Sequence, residues 1–515
     1  MRNSVRTVLV AALATVLLAP LSASADLETE RRGHDQTLER YAADTWRSVR
    51  AMVVPRTGLP ADNVGGGLKA SSRAAYTSPT NIGAYLWSTV AARDIGLISD
   101  RAAHRRLART VHTVAGLDRH EGSGMFYNWY SPTTGAKLRT FPTDGSTIKP
   151  FLSSVDNGWL ATALLLVSRA DPSLKRQADA IRKGMDFGCY YNEAEGQGGQ
   201  IRGGFWDEDP QESAAVPGDY CGLGTDVWYT GHHYGAFNTE PRMASYLGIA
   251  SGQIPAKHYY GTFRTFPNDS CDYAWTETKP VGSWRTYTAG GEKIDVFEGA
   301  LPYRGTHIVP TWGGSMFEAL MVPLFVPEEK WGPRSWAVNH PRYVRGQIQH
   351  GLKEAKYGYW GFSPSNNPAG GYREYGVDQL GLDGPGYTSD QERTTVDQPF
   401  EGCPDRAGSP APTSYGDGVV TPHASFLALR YAPKAALANL AKLRRHFDAY
   451  GKGGFYDAVA VRSGQVSKHY LSLDQGMVMA ALGNALAGND MRRYVAKGAM
   501  ESSLHPLMKQ EVFAR

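Results

Sequence analysis

Three acidic residues, Asp156, Glu240 and Asp417, stand at or just before the predicted starts of apolar helices. Glu240 follows an aromatic stretch, residues 228–237, and precedes an apolar segment with helical spacing, for which we expect Thr239 to be the N-cap. Carboxyl groups donate or accept protons, and aromatic rings stack on the apolar faces of sugars. Each acid alone also has a structural explanation, as a helix cap, a first-turn residue or a turn residue. Together they indicate carbohydrate chemistry.

Two long segments rich in glycine, proline and aromatic residues, 188–238 and 363–418, interrupt the helical periodicity. Loops of this length in a compact chain commonly form lids or binding walls. The first leads to Glu240 and the second ends at Asp417, while Asp156 begins another apolar helix. If the helices that follow these acids run parallel on the inside of a barrel, their starts converge on one funnel. We therefore expect the three carboxyl groups to share a cleft.

The scaffold that positions these acids is predicted to be all-α. Apolar spacing of the helical kind recurs in about twelve segments: 35–53, 81–96, 99–117, 155–170, 173–187, 241–251, 312–325, 341–356, 422–431, 434–450, 472–487 and 490–502. This number of helices fits an (α/α)6 barrel with long aromatic, glycine-rich loops at one mouth. A helical solenoid is the alternative, but no repeat of fixed period supports it. Short strands that line the loops are the β-structure we expect.

The first residues, 1–25, have the features of a secretory signal peptide, namely two arginines, an apolar run and a small-residue end at Ala25. We expect cleavage after Ala25, which leaves residues 26–515 as one secreted domain. No later apolar run is long enough to span a bilayer, so a membrane partner is not expected. In an exported chain, 4 cysteines predict two disulfides; of three connectivities we prefer Cys189–Cys221 with Cys271–Cys403.

The charge balance argues against a nucleic-acid partner. The 54 Lys and Arg and 50 Asp and Glu give a formal net charge of +4, and the two signs are interleaved. No nucleotide-binding loop or Ser-His-Asp arrangement stands out. His232 and His233 lack further ligands at the spacing of a metal site, so we predict neither a metal nor a cofactor. The expected partner is a polysaccharide or oligosaccharide, bound by a monomer.

Aromatic and polar residues beside glycines and acids are candidates for sugar binding. They are Tyr127, Trp129, Trp228, His233, Tyr234, Trp312, Glu318, Trp360 and Tyr387. Packing in the core is the alternative for any one of the tryptophans. Glu318 lies on an apolar helix, where a charge needs a partner, so it either contacts substrate or pairs with an arginine such as Arg304. His233 or Tyr234 would also suit a polysaccharide lyase, but a lyase of uronates favours a basic cleft, which the small net charge does not supply.

Seven strings along the chain, between about residues 76 and 487, match strings of one known group in the same order. They are TSPTNIG from Thr77, FYNWY from Phe126, SVDNGW from Ser154, TEPRMASY from Thr239, WGGSMFE from Trp312, DGVVTP from Asp417 and LDQG from Leu473. In these strings the chain resembles the glucoamylase-like domain family, which includes bacterial endo-β-1,2-glucanases and a domain of cyclic β-1,2-glucan synthases.

The resemblance implies an (α/α)6 barrel and glycoside hydrolysis, with Asp156, Glu240 and Asp417 needed for activity. Glu240 would be the general acid, and Asp417 or Asp156 would activate or orient water. A helix N-terminus lowers a carboxyl pKa, so an acid role for Glu240 requires that the surrounding rings desolvate it. The synthases carry the string WGISES where this chain has residues 360–365, so Pro364 replaces their glutamate. Their retaining chemistry is therefore not implied.

We therefore predict a secreted, endo-acting glycoside hydrolase that cleaves a glucan-like polysaccharide, foremost β-1,2-glucan, with inversion. Glu240 protonates the leaving oxygen, and Asp417 or Asp156 is the base. A separation of roughly 6.5–9.5 Å between the two carboxyl groups fits inversion, whereas roughly 5 Å favours retention. Three alternatives stay open: a hydrolase of another linkage (arabinan, galactosaminan or α-glucan), a polysaccharide lyase, and a glycan-binding protein without catalysis.

Overall fold

The computed structural model describes residues 21–267, 276, 278–382 and 415–514, with side chains from Gly33 onward. In this part of the chain the α-helices are α1 (Leu21–Met52), α2 (Pro79–Asp94), α3 (Asp100–Ala115), α4 (Ser154–Ala170), α5 (Lys175–Lys183), α6 (Arg242–Ser251), α7 (His258–Gly261), α8 (Met316–Leu320), α9 (Glu328–Trp331), α10 (Trp336–Gln349), α11 (Pro422–Leu427), α12 (Pro433–His446), α13 (Ser472–Leu486), α14 (Asp490–Val495) and α15 (Ala499–Gln510). Most lie where the sequence predicts them.

Helices α2, α4, α6, α8, α11 and α13 form an inner layer in which each packs against the next. α2 contacts α4, α4 contacts α6, α8 contacts α11, and α13 contacts both α11 and α2. α6 and α8 are joined by Arg242, whose guanidinium donates to the carbonyls of Glu318 (2.9 Å) and Ala319 (2.8 Å). Helices α1, α3, α5, α10, α12 and α15 pack against this layer from outside. The predicted α/α toroid architecture is therefore confirmed.

Burial distinguishes the two layers. α4 is buried on nearly all sides, as expected for a helix with partners around its whole circumference. The outer helix α3 instead buries one face, through residues three or four positions apart: Ala103, Leu107, Val111 and Val114. Close approach of α13 to α2 depends on Gly476, because a Cβ at this position would lie 2.7 Å from the Cβ of Ala84. Small residues thus allow the inner helices to pack closely.

Most strands are short and lie in the loops. They are β1 (Asn63–Gly65), β2 (Phe151–Ser153), β3 (Tyr191–Asn192), β4 (Gln200–Arg202), β5 (Gly204–Trp206), β6 (Val216–Asp219), β7 (Asp226–Tyr229), β8 (His233–Tyr234), β9 (Val281–Ala289), β10 (Glu292–Tyr303), β11 (Thr306–Ile308), β12 (Thr311–Trp312), β13 (Ser365–Asn366), β14 (Tyr372–Arg373), β15 (Gly381–Leu382), β16 (Val419–Val420), β17 (Tyr450–Gly451), β18 (Gly454–Phe455), β19 (Ala458–Ala460), β20 (Gln465–Ser467) and β21 (His469–Leu471). They line the loops, as the sequence predicts.

The antiparallel hairpin β9–β10 is longer than the sequence predicts, so the expectation of an all-α chain with only short strands is corrected. Its register runs from Ala289 opposite Glu292 to Val281 opposite Ala300. Alternate residues in it are buried, which is the period of a strand with one face on the core: Tyr287, Ala289, Ile294 and Val296. The turn is Gly290–Gly291, with φ of +61° and +87°, values that glycine adopts without steric cost.

Several predicted helices are divided or shifted in the structure, among them 422–431, which contains α11 and then a 3-10 turn at Ala428–Arg430. The segment 312–325 contains α8 and then a 3-10 turn at Val322–Leu324. The segment 341–356 starts earlier, as α10, and ends in a π-turn at His350–Glu354. The segment 490–502 divides into α14 and α15 at Gly498, whose φ is +60°. Across the described residues, no helix combines the length and the apolarity needed to cross a membrane.

Candidate active site

A cavity of about 480 Å³ opens where α2, α4 and α13 begin. Four carboxyl groups line it: Asp62, Asp156, Glu240 and Asp474. Four aromatic rings line it as well: Tyr76, Trp129, Phe141 and Tyr372. Another cavity, of about 380 Å³, lies near the other ends of inner helices and has Asp35 as the carboxyl group in its described lining. Because the acids converge on the first cavity, we take it as the candidate active site.

Glu240 lies in the turn before α6 and not within a helix capped by Thr239, which corrects the cap predicted from the sequence. α6 begins at Arg242 without a side-chain cap, and the Thr239 hydroxyl donates instead to the carbonyl of Ala236 (3.2 Å). The Glu240 carboxylate reaches the cavity, where the indole N–H of Trp159 donates to its Oε2 (2.6 Å). A tryptophan of α4 therefore orients this carboxyl group.

Burial raises the pKa of Glu240 well above its ordinary value. The nearby carboxyl of Glu318 raises this pKa further, the Trp159 hydrogen bond offsets part of the increase, and Asp156 adds to it. The desolvation that an acid role requires is thus present. A carboxyl group that holds its proton near neutral pH can donate it to a leaving oxygen.

Glu318 lies on α8 and supports the backbone of Glu240. Its Oε2 accepts a hydrogen bond from the Glu240 N–H (2.7 Å), and Ser315 caps α8 by accepting from the Glu318 N–H (3.4 Å). Burial raises the pKa of Glu318 to about 8. Arg304, which the sequence offers as a partner, is exposed in the turn after β10. The ion pair with Arg304 is therefore not formed, and the Glu318 carboxyl binds the Glu240 N–H instead.

Asp156 lies in the first turn of α4 but is not its cap. Ser153 is the cap, since its Oγ accepts a hydrogen bond from the Asp156 N–H (3.1 Å). The Asp156 carboxylate is thereby left to face the cavity, where the Thr80 hydroxyl donates to Oδ1 (2.7 Å) and the Asn128 amide donates to Oδ2 (3.0 Å). These two donors fix its orientation in the same cavity as Glu240.

Asp62 and Asp474 line the cavity although the sequence analysis does not single them out as site residues. Strand β1 pairs with β21, with Asn63 opposite Leu471, and this pairing brings the segment of Asp62 next to the start of α13. Burial raises the pKa of Asp62, and it raises that of Asp474 to about 7. The LDQG string contains Asp474 and offers a signal for it, whereas Asp62 lies in a loop with no motif.

The structure does not bring Asp417 to the cavity, which corrects its predicted place beside the other two acids. Asp417 precedes strand β16 in an exposed loop, and α11 begins only at Pro422. Its carboxylate accepts hydrogen bonds from the N–H (2.6 Å) and the hydroxyl (2.6 Å) of Ser463. Because a strand separates Asp417 from the helix, the acid is a turn residue and not a helix-start residue.

Trp129 is at the cavity wall, as predicted for a sugar-binding residue. Its ring meets those of Tyr76 and Phe141 edge to face, with centroids 5.4 Å and 6.1 Å away. Trp228 and Tyr127 are not in the described lining of this cavity. Trp228 lies opposite another tryptophan across the β5–β7 pair, and the Tyr127 hydroxyl donates to the Asp207 carboxylate (2.7 Å).

The remaining predicted binding residues are scattered. Tyr234 lies on β8; burial raises its pKa, and the carboxyls of Glu240 and Glu318 raise it further. On the same strand, His233 contacts the Asn192 amide through Nε2 (3.1 Å). Trp312 lies half-buried on β12 beside β15. Trp360 is fully buried in the core, so its predicted sugar contact is corrected to packing. Tyr387 lies outside the described residues.

A disulfide joins Cys189 to Cys221, with a Cα–Cα distance of 5.4 Å, and confirms the first predicted pairing. It ties together two parts of the aromatic loop that leads to Glu240. Cys271 and Cys403 lie outside the described residues. Both sulfurs of the disulfide lie near Asp186 at distances that suit metal ligands, but sulfurs in a disulfide are not thiolate ligands.

Family models match two parts of the chain. Residues 276–494 match a family described as "putative glucoamylase", and residues 40–250 match a family described as "protein of unknown function (DUF3131)". The cyclic β-(1,2)-glucan synthase NdvB of Rhizobium meliloti is 32% identical over 198 residues, which cover 36% of this chain and 6% of that protein. The chain thus spans a small fraction of the length of this curated relative.

Solved structures share the fold over almost the whole chain. A putative glucoamylase from Bacteroides caccae has 18% identity and a TM-score of 0.59, covering 92% of this chain and 98% of its own. An endo-β-1,2-glucanase from Chitinophaga pinensis, in complex with sophorotriose and glucose, has 16% identity, a TM-score of 0.59 and the same coverage. These comparisons confirm the resemblance predicted from the strings: residues 276–494 match the model of a family described as putative glucoamylase, and the solved structures share the fold.

Proposed function

We propose that this protein is a glycoside hydrolase that cleaves β-1,2-glucan at internal linkages. The observation that carries the proposal is a buried carboxyl group, Glu240, in a cavity with further acids and with aromatic walls. The relatives support the substrate, because one is named an endo-β-1,2-glucanase and another a cyclic β-(1,2)-glucan synthase. Rings such as Trp129 and Tyr76 would stack on glucosyl faces, and the acids would bind hydroxyl groups.

In the proposed reaction, Glu240 donates its proton to the glycosidic oxygen while the bond from this oxygen to C1 breaks. A water molecule attacks C1 from the opposite face, and a second carboxylate takes the proton of the water, so the anomeric configuration inverts. We propose Asp474 as this base, because burial raises its pKa to about 7, near the pH at which a base works best. Asp156 is the second candidate for the base. Its oxygens already accept hydrogen bonds from Thr80 and Asn128, so with Asp474 as the base it would bind a sugar hydroxyl.

The arrangement of the helices supports further proposals about the whole protein. The inner layer α2–α4–α6–α8–α11–α13 and the outer helices are those of an (α/α)6 barrel, which we propose as the complete architecture. We also propose that the chain is secreted as a monomer with one domain, residues 26–515, after removal of residues 1–25. The Cys189–Cys221 disulfide fits an oxidising compartment outside the cytosol.

The proposal is tested by incubating the purified mature protein with a panel of polysaccharides that includes linear β-1,2-glucan. We expect oligosaccharides from β-1,2-glucan, and a loss of kcat of about 10²–10⁴-fold with little change in KM for Glu240→Gln, because the acid acts in the transition state. Glu292→Gln is the matched control, since Glu292 is exposed and pairs with Lys257 away from the cavity. Products from another polymer would keep the site and discard the linkage.

Two further readouts separate the mechanisms. An inverting enzyme releases the α-anomer from β-1,2-glucan, which proton NMR detects in the first minutes, before mutarotation. A lyase would instead form an unsaturated product that absorbs in the ultraviolet. Binding of glucan without products, unchanged in Glu240→Gln, would show a glycan-binding protein and would contradict the proposal.

A further inference from the structure

Asp457 lies directly behind the candidate active site and is not part of its lining. It stands between β18 and β19, is 2% exposed, and accepts a hydrogen bond at Oδ2 from the backbone N–H of Asn366 (2.6 Å). Its side chain is hydrogen-bonded to that of Asp474, which does line the cavity. A second, small cavity has both aspartates and His423 in its lining. Asp457 therefore contacts the proposed base without being part of the lining of the main cavity.

Two buried carboxyl groups in contact need a shared proton unless a cation neutralises them. Among the described residues, no lysine or arginine forms an ion pair with Asp457 or Asp474. His423 approaches Asp474, with Nδ1 3.3 Å from Oδ2, but the same Nδ1 also contacts the Thr421 hydroxyl (2.8 Å). Burial lowers the pKa of His423 to about 4, so this ring is neutral at neutral pH. The remaining titratable groups that face the pair, within the described part of the chain, are Asp62, Tyr372 and Tyr456, and none supplies a positive charge.

The position of the shared proton follows from the contacts of each aspartate. Both residues are 2% exposed, but Asp474 is in the lining of the cavity that would hold water and substrate, whereas Asp457 is not. An ionised carboxylate is less costly where it borders such a cavity. We propose that Asp457 is a positioning residue that keeps the proton and donates a hydrogen bond to the Asp474 carboxylate, so that Asp474 is held ready to accept a proton from the attacking water. This inference rests on the proposed hydrolase function, with Asp474 as its base.

The charges in the pair agree with this assignment. Burial raises the pKa of Asp457 well above its ordinary value, and the neighbouring Asp474 carboxyl raises it further. Burial also raises the pKa of Asp474, but the hydrogen bond from Asp457 lowers it, which limits the increase to about 7. Removing the donor should therefore raise the pKa of Asp474, and the base should then ionise only at higher pH.

The test compares two substitutions that differ in whether a donor remains. In Asp457→Asn, the amide oxygen can still accept from the Asn366 N–H while the amide nitrogen donates to Asp474. We expect this variant to keep kcat within about threefold of the wild type and to keep the acid limb of the pH profile. In Asp457→Leu, we expect kcat at pH 6 to fall by at least about tenfold and the acid limb to move up by about one pH unit. Asp448→Asn, at an exposed acid paired with Lys468, is the control.

Two outcomes would overturn the inference. If Asp457→Asn loses as much activity as Asp474→Asn, then Asp457 must be ionised and is itself the base. If Asp457→Leu folds and keeps the wild-type acid limb, then Asp457 does not tune Asp474. A wild-type protein that cleaves no glucan would instead refute the proposed function, which this comparison of variants distinguishes from failure of the inference.

A second measurement needs no substrate and does not require the leucine variant to fold. A buried carboxyl group that stays protonated in the native state loses stabilisation as pH rises from its unfolded pKa to its folded pKa. Asp457→Asn removes this loss, so its unfolding temperature relative to the wild type should rise between pH 5 and pH 8. Asp448→Asn should show no such trend. A difference that stays constant with pH would show that Asp457 is not protonated in the native state, which contradicts the inference.

Discussion

Two neighbours of Glu240 shift the pKa of its carboxyl group in opposite directions. The Trp159 N–H stabilises the carboxylate, whereas the Glu318 carboxyl destabilises it. Burial acts in the same direction as Glu318, and together they outweigh the Trp159 hydrogen bond, so the pKa of Glu240 is raised well above its ordinary value. The sequence places Glu240 near a helix start, where the helix dipole would lower the pKa. Enclosure by protein and a second carboxyl group therefore decide the chemistry of this residue, and neither is visible in the local sequence.

Glu318→Gln should move the alkaline limb of the pH profile of kcat/KM to lower pH, by about one unit. The proposed acid works in its protonated form, below its pKa, and removal of the Glu318 carboxyl lowers the pKa of Glu240. The glutamine amide oxygen can still accept the Glu240 N–H, so the backbone should stay in place. The measurement is initial rate against pH from 5 to 9.

Glu292→Gln serves as the control for that shift, because Glu292 is exposed at the β9–β10 turn. It should leave the alkaline limb where it is. An unchanged limb in Glu318→Gln as well would mean that Glu240 does not experience the charge of Glu318, or that Glu240 is not the acid. Loss of folding is detected separately by the unfolding temperature.

At the scale of elements, helix starts position the acids through their caps. Ser153 caps the inner helix α4 through the Asp156 N–H, and Ser99 caps the outer helix α3 through the Ala102 N–H. Each serine-to-alanine substitution should cost about 1 kcal/mol of stability, a decrease of about 1–2 °C in the unfolding temperature. Only Ser153→Ala should also lower kcat, because it alone loosens a helix start that lines the cavity.

Calorimetry and initial rates on the two variants check this pair. Equal losses of stability with a loss of activity confined to Ser153→Ala would agree with a positioning role for the cap. An equal loss of activity in Ser99→Ala would show that activity follows overall stability. In that case the cap of α4 would have no special effect on Asp156.

Much of the helical scaffold can be predicted from the sequence, because apolar periodicity and capping residues are local. Asp156 and Glu240 are predicted to meet, and they line one cavity. The predicted place of Asp417 at a helix start is wrong, because the two-residue strand β16 separates it from α11. So short a strand leaves no periodic signal in the sequence. The β9–β10 hairpin is not predicted although its apolar alternation is in the sequence, because this alternation occurs in one isolated hairpin and not in a series of strands.

At the scale of the whole molecule, the cavity depends on closure of the chain. Asp62 follows α1 and Asp474 begins α13, yet the Ser472 N–H donates to the Asp62 carbonyl (2.7 Å) because β1 pairs with β21. α13 also packs against α2, which completes the contact between the first and last inner helices. A contact between residues this distant in sequence depends on how the intervening helices pack. For this reason the meeting of Asp62 with Asp474 cannot be read from local pattern, although the LDQG string marks Asp474 itself.

Several buried carboxyl groups make overall stability depend on pH. Burial raises the pKa of Glu298 to about 8, with the neighbouring Glu511 carboxyl as a further cause, and it raises that of Glu318 to about 8. In the unfolded chain the pKa of each of these groups is about 4.3, the ordinary value for glutamate. Glu328 behaves in the opposite way, because Arg242 and His340 outweigh burial and lower its pKa to about 2.

These directions predict a loss of stability as pH rises from about 4.5 to 8, because the native state then binds more protons than the unfolded state. Glu328 contributes no loss in this range, since its stabilisation disappears only below about pH 4.5. Glu298→Gln should reduce the loss by about a few kcal/mol, because Glu298 is 1% exposed and its pKa is raised to about 8. Asp295→Asn, exposed on the same strand, should keep the wild-type dependence. Calorimetric unfolding at pH 5, 6, 7 and 8 measures both, and equal slopes for the wild type and Glu298→Gln would contradict the protonated state of Glu298.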